Sequence, residues 1–472
     1  MGAKAAIQVN AYQILGDNSR PGFPFLSHQK RQKSHLIFLK LSQRRHEATE
    51  LLAGHQPKLQ RSTHVHATEV EHVFHMKGGN GETSYAKNSR LQRKAILETK
   101  PLLEMAIAEV CMSMTALPRT MVVADLGCSC GPNALLFVSE VICTVADRLK
   151  TFGHNPVEIQ FFLNDLPGND FNHVFRSLAE FHMCMAEEGS AEGGDQLPAY
   201  YIAGLPGSFY RRLLPCRSVH LFHSSYCLMW CSQVPEELLE GKYVNEGKIC
   251  IGATTPPAVV KLYQEQFHRD FSRFLELRSM ELVPGGQMVL TILGRKHRDP
   301  RTGELFTLYA LLAQALQCLL LEGRVEKEKL DGFNLPLYTP SVEEVAAAVE
   351  AGGLFDVRRV QLFQSNWDPH DDSEDSNAVT GGARESGENV ARVTRAVLEA
   401  LLVQHLGECV LDELFVVFAR LVAAHLEEEK TKFTVIVLVL SLREGRKEAS
   451  VPRAPASVDG HAHAKMRVAS EV

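Results

Sequence analysis

From about Val70 onward, short apolar runs alternate with stretches of helical period. That is the pattern of an α/β fold. Seven runs read as strands: Met121–Ala124, Ile159–Leu163, Tyr200–Ala203, Val219–Phe222, Met288–Leu293, Phe355–Phe363 and Phe433–Leu442. Leu135, Val138, Ile142, Val145 and Leu149 recur at helical spacing behind Pro132, and Tyr263, Phe267, Phe271 and Phe274 form the stripe of one long helix. Pro284-Gly285-Gly286 reads as a turn into the fifth strand. Ser341-Val-Glu-Glu344 reads as a capping box whose helix stops at Gly352-Gly353. Further helices are predicted across Val390–Gln404 and Glu408–Glu427. Helices between most strands predict a doubly wound, mostly parallel, Rossmann-like seven-stranded sheet with both faces covered.

The chain ends break this pattern. Met1–His46 carries eight Lys/Arg against one acid, Asp17. Residues 1–69 are read as a basic, solvated, disordered extension in preference to an organelle transit segment, and residues 446–472 as a disordered polar tail. Asn366–Glu388, with seven acids and one base, is read as a solvated loop. The net charge of −6 over 472 residues excludes a bulk polyanion binder, so no nucleic-acid partner is expected. The longest apolar run lies within Phe433–Leu442, too short to span a bilayer, so no membrane partner is expected. Eleven cysteines with no CxxC read as free thiols in a reducing compartment, and a cytoplasmic location is expected.

Asp125-Leu-Gly-Cys-Ser-Cys-Gly-Pro-Asn133 follows a strand and opens a helix. Gly127 and Gly131 would let the backbone approach a ligand closely. The GxGxxG triplet of a dinucleotide site is absent. An acid before the first glycine suits a ligand with a cationic amino-acid end, such as S-adenosylmethionine. The segment also fits another nucleotide site or an ordinary tight turn. Asp165 ends the second strand, where a ribose diol is commonly gripped; an Asx-turn or cap acid is the alternative. Trp230 and Met229 suit a ligand wall or plain core. His64, His66, His72 and His75 are read as solvated, as are His461 and His463. Asp170, His223, Ser224 and Ser225 hint at a hydrolase, but GxSxG is absent.

Several long stretches together carry a resemblance. They are His75-Met-Lys-Gly-Gly-Asn-Gly-Glu-Thr-Ser-Tyr-Ala-Lys-Asn-Ser89, Asp125–Asn133, Phe162–Asn172 and Leu205-Pro-Gly-Ser-Phe-Tyr210. Further on come Phe222-His-Ser-Ser-Tyr-Cys-Leu-Met-Trp230, Lys329-Leu-Asp-Gly-Phe-Asn334 and Lys430-Thr-Lys432. Over roughly Glu71–Arg443 the chain resembles the plant SABATH methyltransferases, which methylate carboxylates, and sometimes ring nitrogens, of small metabolites. It looks closest to the salicylate/benzoate branch.

The resemblance implies a class I methyltransferase domain over 70–445, with a helical cap at about 302–351 and 390–429. It implies that Tyr85, Ser89, Asp125, Asn133, Asp165, Leu166, Ser208 and Phe209 line the S-adenosylmethionine site. Gln92 and Trp230 would hold the acceptor carboxylate. Tyr226, Met229, Leu308, Tyr309 and Phe415 would wall its pocket. Asn245, Asp331, Phe333 and Asn334 would hold a structural Mg²⁺, since side-chain oxygens and a backbone carbonyl suit a hard cation; turn and cap residues are the alternative there. A homodimer is implied by resemblance alone.

Three positions depart from the family: Cys130 stands for a usual Ser, Cys231 for an apolar residue and Tyr309 for a common Trp. The expected reaction is methyl-ester formation on salicylate or benzoate. Jasmonate, anthranilate, indole-acetate or a nitrogen heterocycle are alternative acceptors. A non-catalytic binder of small acids is the alternative from another class.

Overall fold

The computed structural model describes residues 71, 73–113, 120–152, 157–190, 197–371 and 382–443. The expected extension, the expected tail, and His64, His66 and His72 lie outside the described residues. In chain order the elements are α1 (Arg90–Ser113), β1 (Thr120–Leu126), α2 (Asn133–Phe152), β2 (Glu158–Asp165), α3 (Phe171–Arg176), α4 (Leu178–Ser190) and β3 (Tyr200–Pro206). Next come β4 (Val219–Ser225), α5 (Glu236–Leu239), α6 (Pro257–Glu281), β5 (Leu282–Gly294) and α7 (Glu304–Leu321). The last are α8 (Lys327–Gly332), α9 (Val342–Gly352), β6 (Phe355–Asn366), α10 (Ala383–Leu406), α11 (Leu411–Glu428) and β7 (Lys432–Leu442).

All seven predicted strands form one sheet in the order β3-β2-β1-β4-β5-β7-β6. The β1–β2, β1–β4, β2–β3 and β4–β5 pairs are parallel, and β7 runs antiparallel between β5 and β6. Because side chains alternate across a strand, the two faces separate cleanly. Val123, Leu221, Val289, Val437 and Val439 pack under α1 and α2, through Ile107, Val110, Phe137, Val138 and Ile142. Ala124, Phe222, Met288, Leu290, Ile436 and Leu438 face the other layer, where α6 buries Tyr263, Phe267, Phe271 and Phe274. The capping box at Ser341 is formed, and Gly353 ends α9 in the left-handed conformation with φ of 58°.

Three details differ from the sequence reading. Strand β5 begins at Leu282, ahead of Pro284-Gly285-Gly286, and the pairing with β4 jumps from Val219↔Leu282 to Leu221↔Gln287. The Pro-Gly-Gly is therefore a bulge inside the strand, with Gly285 at φ of 76°. The start of the acidic loop is buried rather than solvated. Trp367 stacks on His425, Asp368 accepts from Ser386 Oγ at 2.6 Å, and Asp371 pairs with Lys430 at 2.8 Å. Helix α7 is long and apolar enough by composition to cross a membrane, yet half of it is buried in the protein. It is a core helix that packs on α11.

Candidate active site

The carboxyl ends of β1, β2 and β4 open into one cavity, as expected where parallel strands meet helix amino termini. Its empty volume is about 1200 Å³, with the mouth to solvent included. Gly127 starts the turn after β1 at φ of 81°, and a Cβ there would lie 2.2 Å from Cys227 Sγ. Both the backbone angle and the close thiol require glycine. The N–H groups of Gly127 and Cys128 each donate to Asn164 O at 2.9 Å. Asn164 Nδ2 in turn donates to Leu205 O at 2.7 Å and Gly207 O at 2.9 Å, which ties the end of β2 to the turn carrying Ser208 and Phe209. The sequence reading took Asp165 from this pair and missed Asn164 as the brace.

Asp165 accepts from Ser129 N and from Leu166 N, both at 2.7 Å. Burial nevertheless lifts its pKa to about 6, against the lowering pull of those two N–H groups. Its remaining lone pairs are available to a ligand. Ser129 sits at φ of 57°, a strained angle for a non-glycine residue that re-aims the turn.

The other half of the cavity is apolar. Trp230 bridges antiparallel to Leu337, its carbonyl accepts from Tyr210 OH at 2.7 Å, and its ring meets that of Phe74 at 4.6 Å. Gln92, in the first turns of α1, turns a buried amide oxygen toward no partner. Ser225 Oγ and Tyr226 OH are likewise buried and unpartnered, and Tyr226 holds φ of 57°. Met229, Leu308 and Tyr309 complete the wall with Val393, Thr394 and Val397 of α10. Burial raises the pKa values of Tyr85, Tyr210, Tyr226 and Tyr309, and of Cys128, Cys130 and Cys227, so phenols and thiols are neutral at pH 7. No Lys or Arg lines the cavity among the described residues. The arrangement can hold an organic anion by neutral donors while keeping a neighbouring cation free of repulsion.

A family model described as SAM dependent carboxyl methyltransferase matches residues 71–443. The chain belongs to this SABATH family. It is 53% identical over 375 residues to Anthranilate O-methyltransferase 1 of Zea mays, covering 78% of this chain and 97% of the relative. It is 52% identical over 389 residues to Benzoate O-methyltransferase of Zea mays, covering 79% and 99%. Among solved structures, loganic acid methyltransferase with SAH is 32% identical and superposes with a TM-score of 0.65, over 78% of this chain and 98% of that one. The protein is thus a S-adenosylmethionine-dependent carboxyl methyltransferase with a class I fold.

The methyltransferase brings most of the expected residues together. Tyr85, Asp165, Leu166, Ser208 and Phe209, with Gln92, Tyr226, Met229, Trp230, Leu308 and Tyr309, all line the one cavity. Phe74, His75, Met76, Tyr210 and Cys227 line it too and were missed. Phe74, His75 and Met76 lie in or beside a motif the sequence reading quoted, but a motif does not say which of its side chains turn inward.

Four expected residues, Ser89, Asp125, Asn133 and Phe415, lie outside the cavity lining. Asp125 is buried against His223, with Oδ1 2.7 Å from Nδ1, and that ring stacks on Phe137. Asn133 donates to Ser89 O at 3.0 Å, so the pair braces α2 to the entry of α1. Phe415 lies under the Arg395 guanidinium and lines a separate cleft between α10 and α11, because α11 turns that side chain toward α10's outer side. Cys130 is fully buried, its thiol 3.8 Å from Lys77 O, with burial lifting its pKa to about 11. The departure from Ser therefore replaces a strong donor with a weak one.

The expected cation ligands do not form a free donor set. Asn245 gives Nδ2 to Cys250 O and takes the Thr255 hydroxyl at Oδ1. Asp331 is held by the Lys327 ammonium and by Gly247 N. Only Asn334 Oδ1 is buried without a partner. A divalent ion would have to displace an ammonium to reach Asp331, so the residues as arranged do not fit Mg²⁺. Among the described residues, no group of three or more His, Cys, Asp and Glu gathers into a metal site. These residues instead tie the 245–255 loop to α8.

Proposed function

We propose that the acceptor is a small, flat aromatic carboxylic acid, salicylate or benzoate in type, with anthranilate as the amino counterpart. Such an acid has a pKa near ~4 and is ionised at pH 7, so no general base is needed. Gln92 and Trp230 are the proposed carboxylate clamp. An amide N–H and an indole N–H bind the anion without bringing a positive charge beside a sulfonium. Tyr85, Asp165, Leu166, Ser208 and Phe209 would hold the cofactor; Asp125, Ser89 and Asn133 would act through the backbone they brace. When bound, S-adenosylmethionine supplies an electrophilic methyl group. The chain's own part is to orient the carboxylate and exclude water, and the apolar wall of Phe74, Met229, Leu308 and Val397 does the latter.

What supports the reading is that Gln92 and Trp230 line one largely apolar cavity whose described wall holds no Lys or Arg. The two unpartnered hydroxyls, Ser225 Oγ and Tyr226 OH, with Tyr309 in the same wall, favour a ring with a polar substituent. Salicylate and anthranilate are therefore expected to outrank benzoate. The relatives' names, anthranilate and benzoate methyltransferases, agree with this class and leave its members unranked. A jasmonate-sized acid would bury a ketone, at ~1–3 kcal/mol if unpaired. The test is kcat/KM for salicylate, benzoate, anthranilate and jasmonate with labelled cofactor. Jasmonate as the best substrate would overturn the flat-slot reading. Cofactor binding with no ester from any acid would favour the non-catalytic binder.

A further inference from the structure

Helix α6 buries four polar side chains where an amphipathic helix should be apolar: Gln266, Asp270, Arg278 and Glu281. None of them lines the cavity. Buried polar groups are costly unless fully bonded, so their partners indicate what they are for.

Their partners fall into two sets. Asp270 accepts from Ser232 N at 2.7 Å and from Ser232 Oγ at 2.8 Å, and Gln266 Nε2 closes the set at 3.0 Å from the same carboxylate. Ser232 follows Trp230 by two residues and lines the acceptor half of the cavity. Just over two turns further along the helix, Arg278 donates to Phe209 O and Arg211 O, both at 2.9 Å. Glu281 Oε1 accepts from Leu213 N at 2.7 Å, Leu214 N at 3.0 Å and Arg212 Nε at 3.2 Å. The two charges neutralise each other at 2.7 Å, with both side chains fully buried, and the guanidinium lies 5.3 Å from the Phe222 ring centre and 5.4 Å from that of Phe274. One ion pair thus catches four backbone groups of the single loop that carries Ser208 and Phe209.

We infer that α6 holds two separate positioning devices: Asp270 with Gln266 sets the Trp230–Ser232 wall that meets the acceptor, and Arg278 with Glu281 sets the 208–214 loop that meets the cofactor. The side chains touch neither ligand. They fix the backbone from which the contacting residues project, and a displacement of about 1 Å there costs binding steeply. The acceptor half rests on the proposed clamp, and the cofactor half on the proposed cofactor contacts of Ser208 and Phe209.

The two devices predict opposite kinetic signatures. Glu281→Gln keeps an acceptor for the two N–H groups and loses the charge. It should weaken S-adenosylhomocysteine binding, measured by calorimetry without any acceptor, by about tenfold while the acceptor KM stays within about twofold. Asp270→Asn should raise the acceptor KM by about tenfold and leave the S-adenosylhomocysteine Kd within about twofold. Milder partners guard against misfolding: Arg212→Met, at the part-exposed end of the Arg278–Glu281 device, and Ser232→Ala, in the Asp270–Gln266 device, should shift the same constants by about threefold each. Equal changes in both constants for either device would mean a merely structural role and would overturn the inference, as would no change in either. If the cofactor arm holds and Trp230→Phe is silent, the clamp has failed and the loop device stands.

Discussion

Replacing Trp230 by Phe removes one N–H from the proposed clamp while keeping an aromatic ring on the Phe74 side, where the two rings meet at 4.6 Å. The backbone of Trp230 is pinned independently by the Leu337 bridge and by the Tyr210 hydroxyl, so the substituted ring stays in place. The loss is then confined to one hydrogen bond to a carboxylate, in a cavity whose wall offers no Lys or Arg to compensate. Such a bond is worth on the order of 1–3 kcal/mol. At 1.36 kcal/mol per decade that is roughly a 5- to 150-fold fall in kcat/KM. Steady-state transfer from labelled cofactor to salicylate measures it, with the S-adenosylhomocysteine Kd as the control expected to stay unchanged. Gln92→Met, combined with Trp230→Phe in a double-mutant cycle, should show coupling because both donors serve one carboxylate. A fall of less than twofold in Trp230→Phe would refute the assignment of Trp230 to the acceptor.

Other expectations follow from the same geometry. Asp165, held at about 6 by burial, has a raised pKa, so its ionised form is the disfavoured one in the empty site; hydroxyl donors from the cofactor favour that ionised form. Cofactor affinity should therefore rise with pH up to about 6 and level off above it, and Asp165→Asn should flatten the calorimetric profile. By the same sign, ionising Asp165 in the free protein costs stability, so its contribution is present at low pH and lost as pH climbs from the ordinary carboxylate range through about 6. Gly127→Ala meets Cys227 Sγ at 2.2 Å and a φ of 81°, and should cost about 1–3 kcal/mol from the backbone angle alone. Adding Cys227→Ala removes the Sγ contact but leaves the residue 227 Cβ 3.0 Å away and the angle cost, so it should recover part of the loss, as read by thermal denaturation. Gly387→Ala would drive a Cβ to 2.3 Å from Ala419 O between α10 and α11, costing about 1–3 kcal/mol and raising the acceptor KM through the shifted Val393–Val397 wall.

The strands, and the strand-end turns that open into the cavity, were legible because both rest on local signals. A strand buried on both faces reads as a continuous apolar run, as β7 does, and each of the seven runs found its place in the sheet. The Gly127 turn and the Asn164-Asp165 corner sit directly at strand ends, where chain direction alone decides what faces the crevice. The bulge at Pro284-Gly285-Gly286 was not legible. Proline and glycine read as a turn whether or not the flanking residues pair, and pairing of Leu282 with Val219 is a non-local fact. The buried start of the acidic loop was hidden for the same reason. Asp371 is solvated by composition until Lys430, far along the chain, is folded onto it.

Phe415 shows where a resemblance outruns the residues. The α11 pattern of Leu411, Leu414, Phe415, Phe418 and Val422 says that these side chains are buried, and all five are. It does not say which neighbour covers each one. An apolar stripe wider than one seam must be shared between partners. Here α7 and α10 both pack on α11, and Phe415 falls on α10's outer side, beneath Arg395. The cavity wall on this side is supplied by α10 itself, through Val393, Thr394 and Val397. Acceptor choice should accordingly respond to α10 before α11. Val397→Ala, which widens the slot, should shift the ratio of kcat/KM for a bulky acid over salicylate, whereas Phe415→Leu should leave that ratio unchanged and affect only stability. A ratio that moves with Phe415 and not with Val397 would return the wall to α11.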